Sequence, residues 1–166
     1  MSTLTGIVGV STRRTPSRLS IFNHEGNTTM LRGFATVSFF VEDLSAAKAW
    51  YTELLGIEPY FARPEVGDPA YVEFRFGDLQ CELGLIDARF SPHGVSDKPA
   101  GAVIFWHVDE LEATVERLLQ LGATVNEGIT VRGEGFRTAS VVDPFGNILG
   151  VMTNPHYLEM LESLKA

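Results

Sequence analysis

Hydrophobic and polar positions first alternate between residues 34 and 41. Val37, Phe39 and Val41 fall on one face of a strand, and Thr36, Ser38 and Phe40 on the other. The period then lengthens. Leu44, Ala47, Trp50 or Tyr51, and Leu54 recur at helical spacing, with Asp43 and Ser45 as N-cap candidates and Gly56 as a natural C-cap. Alternation returns over residues 71–76 and 80–86, on either side of Gly77-Asp78, which reads as two strands joined by a turn.

The same order recurs further along. Residues 103–108 read as a strand, and Asp109-x-x-Glu112 has the form of a capping box. Leu111, Val115, Leu118 and Leu121 make a helical stripe that ends at Gly122. Residues 136–142 and 148–152 read as strands around Asp143-Pro-Phe-Gly-Asn147, whose Pro and Gly suit a tight turn. Laying Val41 on Val108 also matches Leu44 with Leu111 and Leu54 with Leu121, so the chain contains an internal repeat. Residues 58–71 and 123–135 can each supply one more strand. Asn154, Pro155 and the stripe Leu158, Leu161, Leu164 predict a closing helix.

The expected organisation is a disordered leader at 1–29 and one domain at 30–166. Within the domain, module one covers 32–88, a linker 89–100, module two 101–153 and the C-terminal helix 154–166. The leader is rich in Ser and Thr and carries Arg13, Arg14 and Arg18 against Glu25. An acid-poor segment of this kind loosely resembles an organelle transit peptide. A tail of low hydrophobicity, or a start at Met30, asks less of the sequence and is the reading preferred.

Composition narrows the function classes. The net charge of −8 argues against nucleic acid, which needs a basic face for phosphates. No apolar run is long enough for a membrane span. Cys81 is the single cysteine, which excludes an intrachain disulfide and any multi-cysteine metal site. Such a chain suits a reducing compartment, and the cytoplasm is the expected location. Cys81 should face away from its neighbour Glu82 and sit as a small buried hydrophobe. Gly133-Glu-Gly135 is too short for a dinucleotide fingerprint, and no phosphate loop or Ser-His-Asp pattern occurs.

Two signatures, Val41-Glu-Asp-Leu44 leading into Trp50-Tyr51-x-x-Leu54-Leu55-Gly56, and Asp143-Pro-Phe-Gly-Asn147 before the last strand, resemble those of the vicinal oxygen chelate superfamily. That superfamily includes glyoxalase I, bleomycin-resistance proteins and extradiol dioxygenases. The resemblance implies an α+β fold: two βαβββ modules forming a cupped mixed sheet around a cavity, with helices outside and a C-terminal helix. It also implies a homodimer or a pseudo-dimeric monomer.

Enzymes of this family hold a divalent metal on the first and last strands of each module. Carried onto this chain, those positions are Thr36, Val103, Glu82 and Gly150. Only Glu82 is a good ligand, so no metal and no other cofactor is expected; a divalent metal is the alternative. A relocated set of Glu82, His107 and His93 is chemically conceivable. The family topology would line the cavity with Thr36, Ser38, Phe40, Glu82, Val103, Phe105, His107 and Met152, an apolar pocket with a few polar handles. Phe40 and Phe105 could stack an aromatic or cationic ligand. Phe105 and His107 fit equally a core or a site. Glu82 needs Arg75, Arg137, His107, water or a ligand as its partner, and fits equally an internal ion pair or a ligand contact. Trp50 and Trp106 fall on the helix-packing face.

Three functions compete. The first is metal-free binding of a small organic molecule, as in bleomycin-resistance proteins. The second is a divergent metal-dependent lyase or dioxygenase, such as a lactoylglutathione-lyase-like enzyme. The third is an accessory domain for a protein partner.

Overall fold

The computed structural model describes residues 34–92, 98–99 and 101–165. The leader and His93 lie outside these residues, as does part of the linker. Strand β1 (Thr36–Val41) begins two residues later than the alternation predicts, because Phe34 points into solvent at 98% exposure. Helix α1 (Leu44–Leu55) starts at Asp43, whose side chain accepts from the Ala46 amide at 2.9 Å. It stops at Gly56, which takes the left-handed conformation at φ +68°. Short β2 (Phe61–Arg63), β3 (Tyr71–Phe76) and β4 (Cys81–Asp87) complete module one.

Module two repeats the order: β5 (Ile104–His107), α2 (Leu111–Gln120), β6 (Thr124–Gly133), β7 (Phe136–Val142) and β8 (Ile148–Thr153). Helix α3 (Pro155–Ser163) follows, with Asn154 capping the Tyr157 amide. The sheets run β1-β4-β3-β2 and β5-β8-β7-β6. In each, the first strand pairs in parallel with the last and the remaining pairs are antiparallel. The two βαβββ modules are therefore copies of one topology.

Alternation decides which residues face the helices. Val72, Phe74, Leu83 and Leu85 from sheet one and Ala139, Val141, Leu149 and Val151 from sheet two are buried. They join Leu44, Ala47, Tyr51, Leu111 and Leu118 in one core shared by both modules. Across the seam, the Trp50 indole donates to the Leu121 carbonyl at 2.7 Å, and the Phe39 and Trp106 rings meet edge-on at 6.5 Å. Both tryptophans thus pack on the helix side.

Two expectations are corrected, the capping box and the buried Cys81. The capping box does not form: Glu110 is the N-cap residue of α2 and makes no side-chain cap bond, because the Glu112 carboxylate is drawn to Arg137 on β7. The closing helix forms as expected, with its Leu158 largely exposed. Cys81 is exposed rather than buried. It opens β4 opposite Phe76, where the core side of the hairpin borders a cleft instead of a helix. Among the described residues, no helix is long and apolar enough to cross a membrane.

Candidate functional site

The face of sheet one turned away from the helices carries Thr36, Ser38 and Phe40 from β1, Tyr71, Glu73 and Arg75 from β3, and Glu82 and Gly84 from β4. A polar cluster occupies it. The Arg75 guanidinium donates to Glu82 Oε1 at 2.5 Å and to the Tyr60 hydroxyl at 3.0 Å, and lies 4.2 Å over the Tyr60 ring. The Tyr60 hydroxyl donates to Glu73 Oε2 at 2.8 Å, with Glu82 Oε1 3.2 Å away. The hydrogen bond from Arg75 holds the Glu82 carboxyl below the usual carboxylate range, against its partial burial. Tyr60 is pushed up to about 12, first by its bond to Glu73. Burial, then Glu73, raises Tyr71 well above an ordinary phenol.

Sheet two presents a quieter face. Thr138 and Ser140 are buried there, accepting from Arg132 Nε at 3.0 Å and Asn126 Nδ2 at 2.9 Å. The Phe105 ring lies against Gly150: a Cβ added at Gly150 would meet Phe105 Cδ1 at 2.6 Å. Sheet one has the same device, because a Cβ at Gly84 would meet Tyr71 Cε2 at 2.7 Å. Ser38 pairs with Gly84 as Phe105 pairs with Gly150. By register, the counterpart of Gly150 in module one is therefore Gly84, not Glu82. The equivalence drawn from the sequence is displaced by one pleat.

A cleft of about 320 Å³ opens where β1 and the β3–β4 hairpin face β5, β8 and α3. Five of the expected site residues line it: Thr36, Glu82, Phe105, His107 and Met152. Ser38, Phe40 and Val103 do not. Ser38 sits against Gly84, Phe40 lies further along β1 beside Ile86, and Val103 precedes β5. Phe105 is 38% exposed and so offers a ring to the cleft, whereas His107 is nearly buried. The Asn154 amide donates to His107 Nδ1 at 3.2 Å, which places the proton of the neutral ring on Nε2. Nε2 makes no hydrogen bond and lies 3.5 Å from Asp109 Oδ1. The imidazole stacks on Tyr157 at 4.7 Å, and the Tyr157 hydroxyl reaches Asp78 at 3.0 Å. Glu82 and His107 thus share a cleft but take different partners.

The four positions implied by the family do not fit a divalent metal. The Glu82 carboxylate is committed to a guanidinium at 2.5 Å, and Val103 and Gly150 offer no donor. Phe105 fills the space into which any side chain at 150 would project. The set of Glu82, His107 and His93 includes a residue outside those described. Among the described residues, no group of three or more His, Cys, Asp or Glu side chains converges.

Sequence reasoning missed Tyr60, Glu73 and Tyr71, and named Arg75 only as one possible partner. The alternation of Tyr71-Val-Glu-Phe-Arg-Phe76 carried the signal for three of these, because its polar face is unbroken. Nothing local marks Tyr60 or Tyr157, whose roles depend on how β2 and α3 dock.

Comparison with known proteins agrees with this architecture. A glyoxalase/bleomycin-resistance protein/dioxygenase superfamily protein from Sphaerobacter thermophilus superposes with a TM-score of 0.61 at 20% identity, covering 76% of this chain and 100% of its own. A glyoxalase-related enzyme from Fulvimarina pelagi gives 0.60 at 20% identity, covering 75% and 90%. A glyoxalase/bleomycin-resistance protein from Catenulispora acidiphila gives 0.52 at 22% identity, covering 72% and 96%. At these identities the likeness shows the fold alone. No curated protein matches the chain. Residues 33–151 match the family described as glyoxalase, bleomycin-resistance protein and dioxygenase. With the doubled βαβββ topology and the turn at 143–147, that match makes the chain a member of the Glyoxalase/Bleomycin resistance protein/Dioxygenase superfamily.

Proposed function

We propose that this protein binds a small organic molecule, flat and partly cationic, in the cleft between its two modules, and does so without a metal. The reading rests on one observation above all. The cleft presents the half-exposed Phe105 ring and the carboxylates of Asp78 and Glu82; Arg75 pairs with Glu82, and among the described residues no lysine or arginine lines the cleft itself. A carboxylate at an apolar wall attracts cations more strongly than one in bulk water. The net charge of −8 favours the same class of ligand.

Calorimetric titration with N-methylquinolinium and, separately, naphthalenesulfonate tests the proposal. The cation should bind and the anion should not. Glu82→Gln keeps the shape and removes the charge, so it should weaken the cation while costing no more than the modest stability that the partly exposed ion pair with Arg75 supplies. Intact binding with a destabilised fold would make Glu82 a structural ion-pair partner only. Elemental analysis of protein purified without chelator should find far less than one Zn, Ni, Fe or Mn per chain; a stoichiometric metal would overturn the metal-free reading. The family resemblance also leads us to propose a homodimer, which sedimentation at micromolar concentration would refute by showing only monomer.

A further inference from the structure

On the helix side of the seam lies a second chamber of about 190 Å³. Its walls are Leu54 and Leu55 from α1, Leu118 from α2, Leu83 from β4, and Leu149 and Val151 from β8. No carboxylate, lysine or arginine lines it. The Tyr51 hydroxyl at its edge is already bound to Asp143 at 2.7 Å. Among the described residues, the unpartnered polar atom on its walls is His107 Nε2, on a residue it shares with the cleft; elsewhere a polar group would find no partner. An apolar cavity of roughly 150 Å³ is enough to stay dry and take up a benzene-sized hydrocarbon.

The chamber adjoins the outer cleft. Phe76, Trp106 and His107 border both spaces. At the mouth of the cleft Arg75 neutralises Glu82, whereas Asp78 accepts from the Tyr157 phenol, and among the described residues no cation pairs with it.

We infer that chamber and cleft together form a two-part site for an alkyl amine, with its hydrocarbon chain in the chamber and its ammonium head beside Asp78 and Glu82. This deepens the function proposed above and rests on it. The aliphatic lining selects a flexible chain rather than a polar tail, because burying a polar group there would leave it unpaired. The uncompensated carboxylate selects a cationic head over an anionic one.

The test is calorimetric titration of the full chain with n-butylamine, n-hexylamine, n-octylamine and n-octanoate. Affinity should tighten about fourfold per added methylene until the chamber is full. Octanoate should bind at least about tenfold more weakly than octylamine, since one charge–charge contact of this kind exceeds that factor. Leu54→Phe fills the chamber and should flatten the dependence on chain length. Should Leu54→Phe melt far below the parent, Thr114→Leu fills the chamber from α2 and serves instead. Equal binding of butylamine and octylamine would overturn the inference, and so would an unchanged chain-length dependence in a folded chamber-filling variant. Octanoate as tight as octylamine would overturn the choice of head group. If N-methylquinolinium still binds in any of these cases, the outer cleft stands as a binding site and only the two-part site falls.

Discussion

The hydroxyl of Tyr51, on α1 of module one, donates to Oδ2 of Asp143, at the β7–β8 turn of module two, at 2.7 Å. Both residues are buried. The other oxygen of Asp143 accepts from the amides of Phe145 at 2.9 Å and Asn147 at 2.7 Å. The second signature of the sequence is therefore a turn built around a carboxylate, and the first supplies the phenol that ties it to the other module. Burial of this carboxyl group is tolerated because nearly every acceptor position is used.

Tyr51→Phe removes that tie and leaves Asp143 short of one donor. The expected cost is about 2 kcal/mol, and Tm should fall by roughly 6 °C. Differential scanning calorimetry measures it; a change under about half a kcal/mol would show that water replaces the phenol.

The same phenol makes stability fall in alkali. Burial first, and Asp143 second, raise the Tyr51 pKa well above that of a free tyrosine. The folded chain keeps the proton after the unfolded chain, with its phenol near 10, has lost it. The contribution is full below about pH 10 and shrinks as pH climbs toward the folded value. Tyr71, raised mainly by burial, adds in the same direction. Urea unfolding between pH 8 and 11 should show declining stability, with a shallower decline in Tyr51→Phe. Identical slopes would refute the assignment.

Glu82 behaves in the opposite sense. Its carboxyl is held below the usual range, chiefly by the hydrogen bond from Arg75. The pair therefore contributes above the unfolded glutamate value of about 4.3, and the contribution disappears as pH falls through the lower, folded value. Arg75→Met should move the Glu82 titration upward, as followed by carboxyl-carbon NMR. An unmoved midpoint would mean that Tyr60, not Arg75, sets the carboxylate.

Gly150→Ala should cost about 1–3 kcal/mol, since the new methyl would lie 2.8 Å from the Ile104 carbonyl oxygen as well as against Phe105. Gly84→Ala should cost less, because its clashes are with the side chains of Tyr71 and Ser38, which can give way. Phe105→Ala should relieve only part of the Gly150→Ala penalty, the backbone contact remaining. Chemical denaturation of the three variants and the double variant decides the order.

Much of this protein is legible from local pattern. The change of period from two to nearly four marks each strand and helix, and β3 and β7 have the bounds that alternation predicts. Asp43, Gly56 and Asn154 cap where their chemistry says they should, because a cap is satisfied within a few residues of itself. The doubled topology follows from the repeat for the same reason. Alternation also tells which residues of one strand share a face, so Phe105 and His107 could be grouped in advance; joining them with Thr36 and Glu82 took the family resemblance. Alternation does not tell which partner arrives across that face. Arg75 reaches Glu82 through strand pairing, Phe105 covers Gly150 through parallel register, and Tyr157 stacks on His107 because α3 folds back over β5. These are contacts between segments far apart in the chain, set by how two sheets and three helices pack rather than by any one segment's periodicity. The chamber between the modules belongs to the same class, because its walls come from both copies and exist only once they are docked.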